Sequence, residues 1–218
     1  MTPSLFMNRR TLLSLALLPL AAVSARAQPS LTPLAPTAQD RTDIARVEAY
    51  LGSLHALKAH FLQVDASGRT SEGTAWIARP GRMRFQYDPP SPFLLVANYG
   101  EVIFQDKQLK QVSRLPLSST PLGILLSDQI RLAGALTVTG VTRQPGQLQV
   151  SVIRTASPGD GTLTLIFADN PLALRQWSVV DAQQNETRVS LFDIELGGSF
   201  DSKLFDFVDP GPGYGRGG

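Results

Sequence analysis

Between Phe61 and Leu196 hydrophobic and polar residues alternate with a period of two, the pattern of strands that bury one face. Eleven runs carry it: "HFLQVDA", "EGTAWIA", "RMRFQY", "FLLVAN", "EVIFQD", "KQVSRL", "ALTVTGV", "QLQVSVI", "TLTLIFA", "RQWSVVD" and "TRVSLFDIEL". Gly, Pro, Asn and Asp turns such as "NYG", "QPG" and "PGDG" separate them. Sequential strands joined by short turns make an antiparallel meander. Ahead of them the period lengthens. Ile44, Val47, Leu51, Leu54 and Leu57 recur at steps of three and four, predicting a helix of about four or five turns. Asp40 or Thr42 is its expected cap, and Arg46, Glu48 and Lys58 fall on its polar side. One stretch interrupts the strands. "PLSSTPLGILLSDQ" offers Ser118, Ser119 or Thr120 as a cap, Pro121 in the first turn, and Leu122, Leu125 and Leu126 on one side. It predicts a short apolar helix.

An antiparallel sheet of so many strands must twist and curl. Left unclosed, it presents a concave apolar face, and the two helices are the elements available to cover it. The expected fold is therefore mainly β with two or three helices: a curled antiparallel sheet forming an incomplete, half-open β-barrel under a helical lid.

The ends of the chain read differently. Arg9 and Arg10 precede "TLLSLALLPLAAV", 13 residues long, too short to span about 30 Å of hydrocarbon as a helix. Ala25-Arg26-Ala27 follows as a small-x-small cleavage pattern. Residues 1–27 thus read as a signal peptide, and "NRRTLL" leaves the general and twin-arginine export routes both open. Residues 28–39, rich in proline, are expected to be a flexible arm, 40–209 a single domain, and the Gly/Pro-rich 210–218 a disordered tail. Removing Arg9, Arg10 and Arg26 from the 20 basic residues leaves 17 against 18 acidic ones, a net charge of −1. That balance argues against nucleic acid, which needs a clustered basic surface, and against a polybasic membrane anchor. The chain has no cysteine, so it has neither disulfides nor an acylated cysteine after the signal. The expected compartment is the periplasm and the expected state a monomer.

Catalytic constellations are missing. His55 and His60 are the two histidines, with no HExxH pattern for zinc. There is no Gly-x-Ser-x-Gly elbow and no cysteine nucleophile. Asp193 and Glu195, the closest carboxylate pair, stand side by side on one strand rather than across a cleft. No glycine-rich phosphate loop precedes a helix. The reading is a protein without catalytic residues, metal or cofactor.

Several blocks, in order, resemble a known family: "LKAHFLQ", "EGTAWIARPGRMRFQYDPP", "VANYGEVIFQDKQLKQV", "TPLGILL", "NETRVSLFDIEL" and "FDSKLFDFVDPGPG". From about Ile44 to Pro212 they are similar to the periplasmic outer-membrane lipoprotein carriers, LolA. The resemblance implies a shuttle that accepts triacylated lipoproteins from an inner-membrane lipoprotein-releasing ABC transporter and passes them to an outer-membrane lipoprotein acceptor. It also implies an incomplete β-barrel with a lid over a hydrophobic cavity, and an arginine in the Arg-Pro step, here Arg79, that bonds to the lid and holds the empty cavity closed. Related proteins on the same half-barrel bind other lipids or act as lipid-sensing regulators, which makes such a regulator the alternative reading.

The "ARPGR" turn tests that role. In a two-residue loop Arg79 would pair with Arg82 and face outward. An L-Pro-Gly step twists poorly for such a hairpin, so a longer loop is expected, turning Arg79 inward with Met83 and Phe85. Arg82 and Arg84 are then left on a solvated outer face. The expected acyl cavity is lined by Leu51, Leu54, Ile77, Met83, Phe85, Leu94, Val96, Leu122, Leu125 and Leu126.

Overall fold

Thr37 decides where the chain becomes helical. Its hydroxyl accepts the Asp40 backbone N–H at 3.1 Å while the Asp40 carboxylate accepts the Thr37 N–H at 2.8 Å, a reciprocal capping box. Helix α1 accordingly spans Ala38–Ser53, so Asp40 is the third helical residue and neither it nor Thr42 is the cap. The computed structural model describes residues 36–211 and 214–217, all within one unit, Pro33–Gly218. The expected signal segment and most of the arm lie outside the described residues. Val47 and Leu51 bury the apolar stripe of α1. Leu54 already stands at the C-cap and Leu57 belongs to the first strand, because the peptide turns extended once Leu51 has reached the core.

The strands are β1 (Ala56–Val64), β2 (Thr70–Ala78), β3 (Arg82–Tyr87), β4 (Phe93–Asn98), β5 (Glu101–Asp106), β6 (Gln111–Pro116), β7 (Leu136–Gln144), β8 (Gln147–Arg154), β9 (Gly161–Ala168), β10 (Ala173–Asp181), β11 (Glu186–Leu196) and β12 (Gly215–Gly217). They form one sheet in the order β12-β6-β5-β4-β3-β2-β1-β11-β10-β9-β8-β7. Two meanders, β1 to β6 and β7 to β11, join where β1 pairs antiparallel with β11. All eleven expected strands are present. The twelfth is a departure: part of the tail expected to be disordered pairs parallel with β6, Gly215 opposite Gln111.

The sheet is strongly curled and unclosed. Four inter-strand steps of about 4.8 Å would set β3 and β10 roughly 19 Å apart if flat, yet the rings of Phe85 and Trp177 stand 6.0 Å apart. Concave-face side chains such as Phe61, Ile77, Leu165 and Trp177 are buried. Helix α1 and the Leu117–Asp128 segment cover them; the second helix, α2, is one turn, Leu122–Leu125, preceded by a 3-10 turn at Leu117–Ser119.

Ion pairs moor α1 on this face. Asp43 is 2 % exposed and accepts from Arg143 of β7 at 2.6 Å and from Arg46 at 2.9 Å. Arg46 reaches Asp169 in the β9–β10 turn at 2.9 Å, and Arg143 also holds Asp40 at 2.7 Å. Burial works to raise the Asp43 pKa, but hydrogen bonds from Arg143, Gln39 and Arg46 outweigh it and hold the pKa low. Arg46 and Glu48 are thus not an idle polar face, since Glu48 also accepts the Leu132 N–H at 2.5 Å.

Candidate functional site

Register assigns each strand residue to a face, because directly paired residues of an antiparallel ladder point the same way. Ile77 pairs with Met83, Met83 with Ala97, and Phe85 with Leu95; Leu95 pairs with Phe104, and Trp177 with Val189. These side chains share the concave face. Between them and the covering segment lies a cavity of about 280 Å³. Met83, Phe85, Tyr87, Leu95, Val102, Phe104, Trp177, Val179 and Val189 form its walls, and Leu115, Thr120, Pro121 and Leu122 lie toward the covering segment. Gln63 and Thr187 add the remaining polar groups. Leu115, more than half exposed, marks where the cavity meets the surface.

An aromatic chain runs along the cavity wall and into the core beside it. Ring centroids run Trp177 to Phe85 at 6.0 Å, Phe85 to Phe61 at 4.6 Å, Phe61 to Tyr87 at 5.1 Å, Tyr87 to Phe93 at 5.8 Å and Phe93 to Phe104 at 5.2 Å. Such tilted and edge-on pairs add attraction beyond burial and resist collapse into the space. Within the chain the Tyr87 hydroxyl donates to Gln63 Oε1 at 2.7 Å. Burial pushes the Tyr87 pKa up to about 12, so the cavity keeps a neutral phenol whose donor is already used.

Arg79 sits where cover meets sheet. Ala78 pairs with Arg82, so Arg79, Pro80 and Gly81 form a three-residue loop and the arginine turns inward. It is 7 % exposed. Its Nε and Nη2 donate to the Ser127 carbonyl at 2.9 and 2.7 Å, Nη2 also to Asp128 O at 3.1 Å, and Nη1 to Leu54 O at 3.0 Å and to Leu51 O. Desolvation lowers its pKa, partly opposed by the Asp128 charge. Every one of these acceptors is a backbone carbonyl. Two belong to the C-terminal end of α1, where the helix dipole favours a cation, and two follow α2. A single guanidinium therefore ties both covering elements to the sheet, and Gly81 N–H adds a bond to Leu126 O at 2.9 Å.

The residues expected in the cavity divide into three groups. Met83, Phe85 and Leu122 line it. Leu51, Leu54, Ile77, Leu125 and Leu126 are buried in the core beside it. Leu94 and Val96 are corrections: Val96 pairs with Arg84 and Leu94 with Gln86, which sets both on the convex face, and Leu95 takes the inward place. Arg82 and Arg84 are convex as expected, but they are not simply solvated. The Phe200–Asp209 segment packs there, with Arg82 over the Phe205 ring at 5.4 Å, Arg84 donating to Leu204 O at 3.3 Å and Asn98 to Phe205 O at 3.2 Å. Trp177, Tyr87, Phe104 and Val189 join the lining beyond the expected set; the alternation placing Trp177 and Val189 inward is visible in "RQWSVVD" and "TRVSLF", but not which parity is inner.

An open, curled sheet with a covered apolar cavity defines a protein of the half-barrel class. Residues 52–208 match the family described as outer membrane lipoprotein carrier protein LolA, and the chain belongs to that family. An outer-membrane lipoprotein carrier protein of Methylococcus capsulatus is 29% identical over 180 residues, covering 78% of this chain and 86% of the relative. One from Chromohalobacter salexigens is 31% identical over 188 residues, covering 80% and 87%. A solved LolA superfamily protein from Nitrosomonas europaea superposes with a TM-score of 0.43 at 6% identity, over 76% of this chain and 97% of that one. Among the described residues no helix is long and apolar enough to cross a membrane.

Proposed function

We propose that this chain is a periplasmic lipoprotein carrier. It takes the acyl chains of triacylated lipoproteins released by an inner-membrane ABC transporter, shields them in the cavity, and hands them to an outer-membrane acceptor. The observation that carries the reading is an apolar cavity closed by a cover held through hydrogen bonds from Arg79. The membership and the relatives' names support the cargo.

Energetics support the same cycle. Each methylene moved from water to an apolar site is worth roughly 0.8 kcal/mol, so a chain of about sixteen carbons costs on the order of 12 kcal/mol to expose. Such a cargo needs a carrier to cross water. At about 280 Å³ the covered cavity falls below the range of roughly 300 to 1,000 Å³ that drug-sized ligands occupy, and several acyl chains need more. Loading thus requires the lid to lift, and the bonds broken at Arg79 offset part of the binding energy, which makes later release feasible. Leu51, Leu54, Ile77, Leu125 and Leu126, packed together when empty, become additional lining when the lid is raised.

The test is release. Purified protein is added to spheroplasts that retain triacylated lipoproteins, and the supernatant is fractionated. Recovery of a lipoprotein in one-to-one complex with the protein is the expected result. Folded protein that leaves every lipoprotein in the membrane overturns the proposal.

A further inference from the structure

Arg79 fastens only one end of the Leu117–Asp128 segment, the movable lid. At the other end, the Thr120 carbonyl accepts a 2.8 Å bond from Nη2 of Arg154. Arg154 is the last residue of β8 and lies in alternation with Val150 and Val152, both buried on the concave face. In the strand order β8 is nine steps from β6, the strand that runs into the lid. The bond therefore crosses the open seam of the half-barrel, beside the cavity mouth at Thr120, Pro121 and Leu122.

Two further observations bear on it. A Cβ on Gly123 would stand 2.8 Å from Arg154 Nη2 and 2.4 Å from Leu117 O, so the glycine in the lid leaves the space that the guanidinium occupies. The Nε of Arg154 is buried with no partner among the described residues. Arg154 thus makes one bond to the lid while a second donor stays unused, whereas Arg79 serves four carbonyls. The two fastenings are unequal, and the weaker one is at the mouth.

We propose that Arg154 is a second clamp on the lid and the one that releases first: the lid lifts from its Thr120 end across the seam, and the Arg79 bonds at the Ser127–Asp128 end part only after it. Arg154 is a positioning residue, acting on the lid rather than on cargo. The purpose given to this motion rests on the carrier reading; the clamp itself rests on the geometry.

Hydrogen exchange on the full chain tests it without cargo. The amides of Thr120, Gly123 and Ile124 report the mouth end, bonded to Leu117 O, Thr120 O and Pro121 O, and Gly81 N–H, bonded to Leu126 O, reports the Arg79 end. Arg154→Leu is expected to speed exchange at the mouth amides by about tenfold, the effect of one hydrogen bond, and to leave Gly81 within about twofold. Arg154→Lys, which keeps a donor, restores part of the protection. Arg154→Met, which keeps an apolar stem and removes the donors, gives the same local pattern and serves if the leucine variant folds poorly. Unchanged mouth exchange in these variants overturns the clamp. Equal acceleration at Gly81 overturns the order of opening. In a parallel arm a fluorescent sixteen-carbon fatty acid is mixed with each variant, and faster loading by Arg154→Leu is expected. If mouth exchange rises but no variant binds the probe, the clamp stands and the carrier reading fails.

Discussion

Replacing Arg79 with leucine removes five donor contacts from four backbone carbonyls at once. A hydrogen bond to a charged group is worth roughly 1.5 to 3 kcal/mol net, but the contacts do not simply add, because burying the guanidinium costs several kcal/mol that the variant recovers. Leu51 O also keeps its bond from the Leu54 N–H at 3.2 Å. The carbonyls of Ser127 and Asp128 find water if the lid lifts and Leu54 O at the end of α1 loses its bond from Arg79, so the loss falls on the contacts between cover and sheet more than on the barrel. A net of about 2 kcal/mol against closure follows, and removing that opening cost tightens apparent affinity for acyl chains by roughly 30-fold. The assay is a titration with a fluorescent triacylated lipopeptide, combined with its transfer to outer-membrane vesicles. Arg79→Leu should bind more tightly and unload more slowly. Arg79→Lys should behave like leucine rather than wild type, since one ammonium cannot span the same four acceptors. Wild-type affinity and transfer in Arg79→Leu would show that the Arg79 bonds do not hold the lid closed.

Acid should loosen the α1 mooring. The hydrogen bonds from Thr37 and Arg143 lower the Asp40 pKa from 3.8 to about 2, and Asp43 is lowered as well. A carboxylate with a depressed folded pKa stabilises above its unfolded value and loses that contribution as pH falls through the folded one. Thermal melts should thus fall as the pH drops from about 4 towards 2, and Arg143→Met should flatten that part of the dependence. Leu122→Asp, half-buried at the cavity, should cut lipopeptide binding at least about tenfold with little change in melting temperature, because it charges the lining without emptying the core. Trp177→Ala removes a side chain that is 1 % exposed and should cost about 3 to 5 kcal/mol in urea unfolding.

The period-two alternation made the eleven strands legible, and the turn chemistry of "RPG" correctly turned Arg79 inward. The face of β4 was not legible. "FLLVAN" is apolar on both sides, because Val96 is covered on the convex face while Leu95 fills the cavity wall; with little polar contrast to fix parity, the alternation reads equally well with Leu94 and Val96 inward. The convex cover of Phe200–Asp209 is the reason Arg82 and Arg84 are not solvated, and no local signal announces it. The same holds for Asp43 with Arg143 and for Arg154 with Thr120, which meet only because the sheet curls. The parallel strand at 215–217 was hidden by its Gly-rich composition, since backbone pairing asks nothing of side chains.

The central claim is that acyl chains enter the space between the lid and the concave sheet. A triacylated lipopeptide carrying a photoreactive group near the end of one acyl chain tests it directly, with crosslinked residues located by mass spectrometry. Crosslinks are expected at Met83, Phe85, Leu95, Trp177 and Val189. Crosslinks confined to convex-face residues such as Val96 or Phe205, or none from a bound lipopeptide to the concave face, would contradict it.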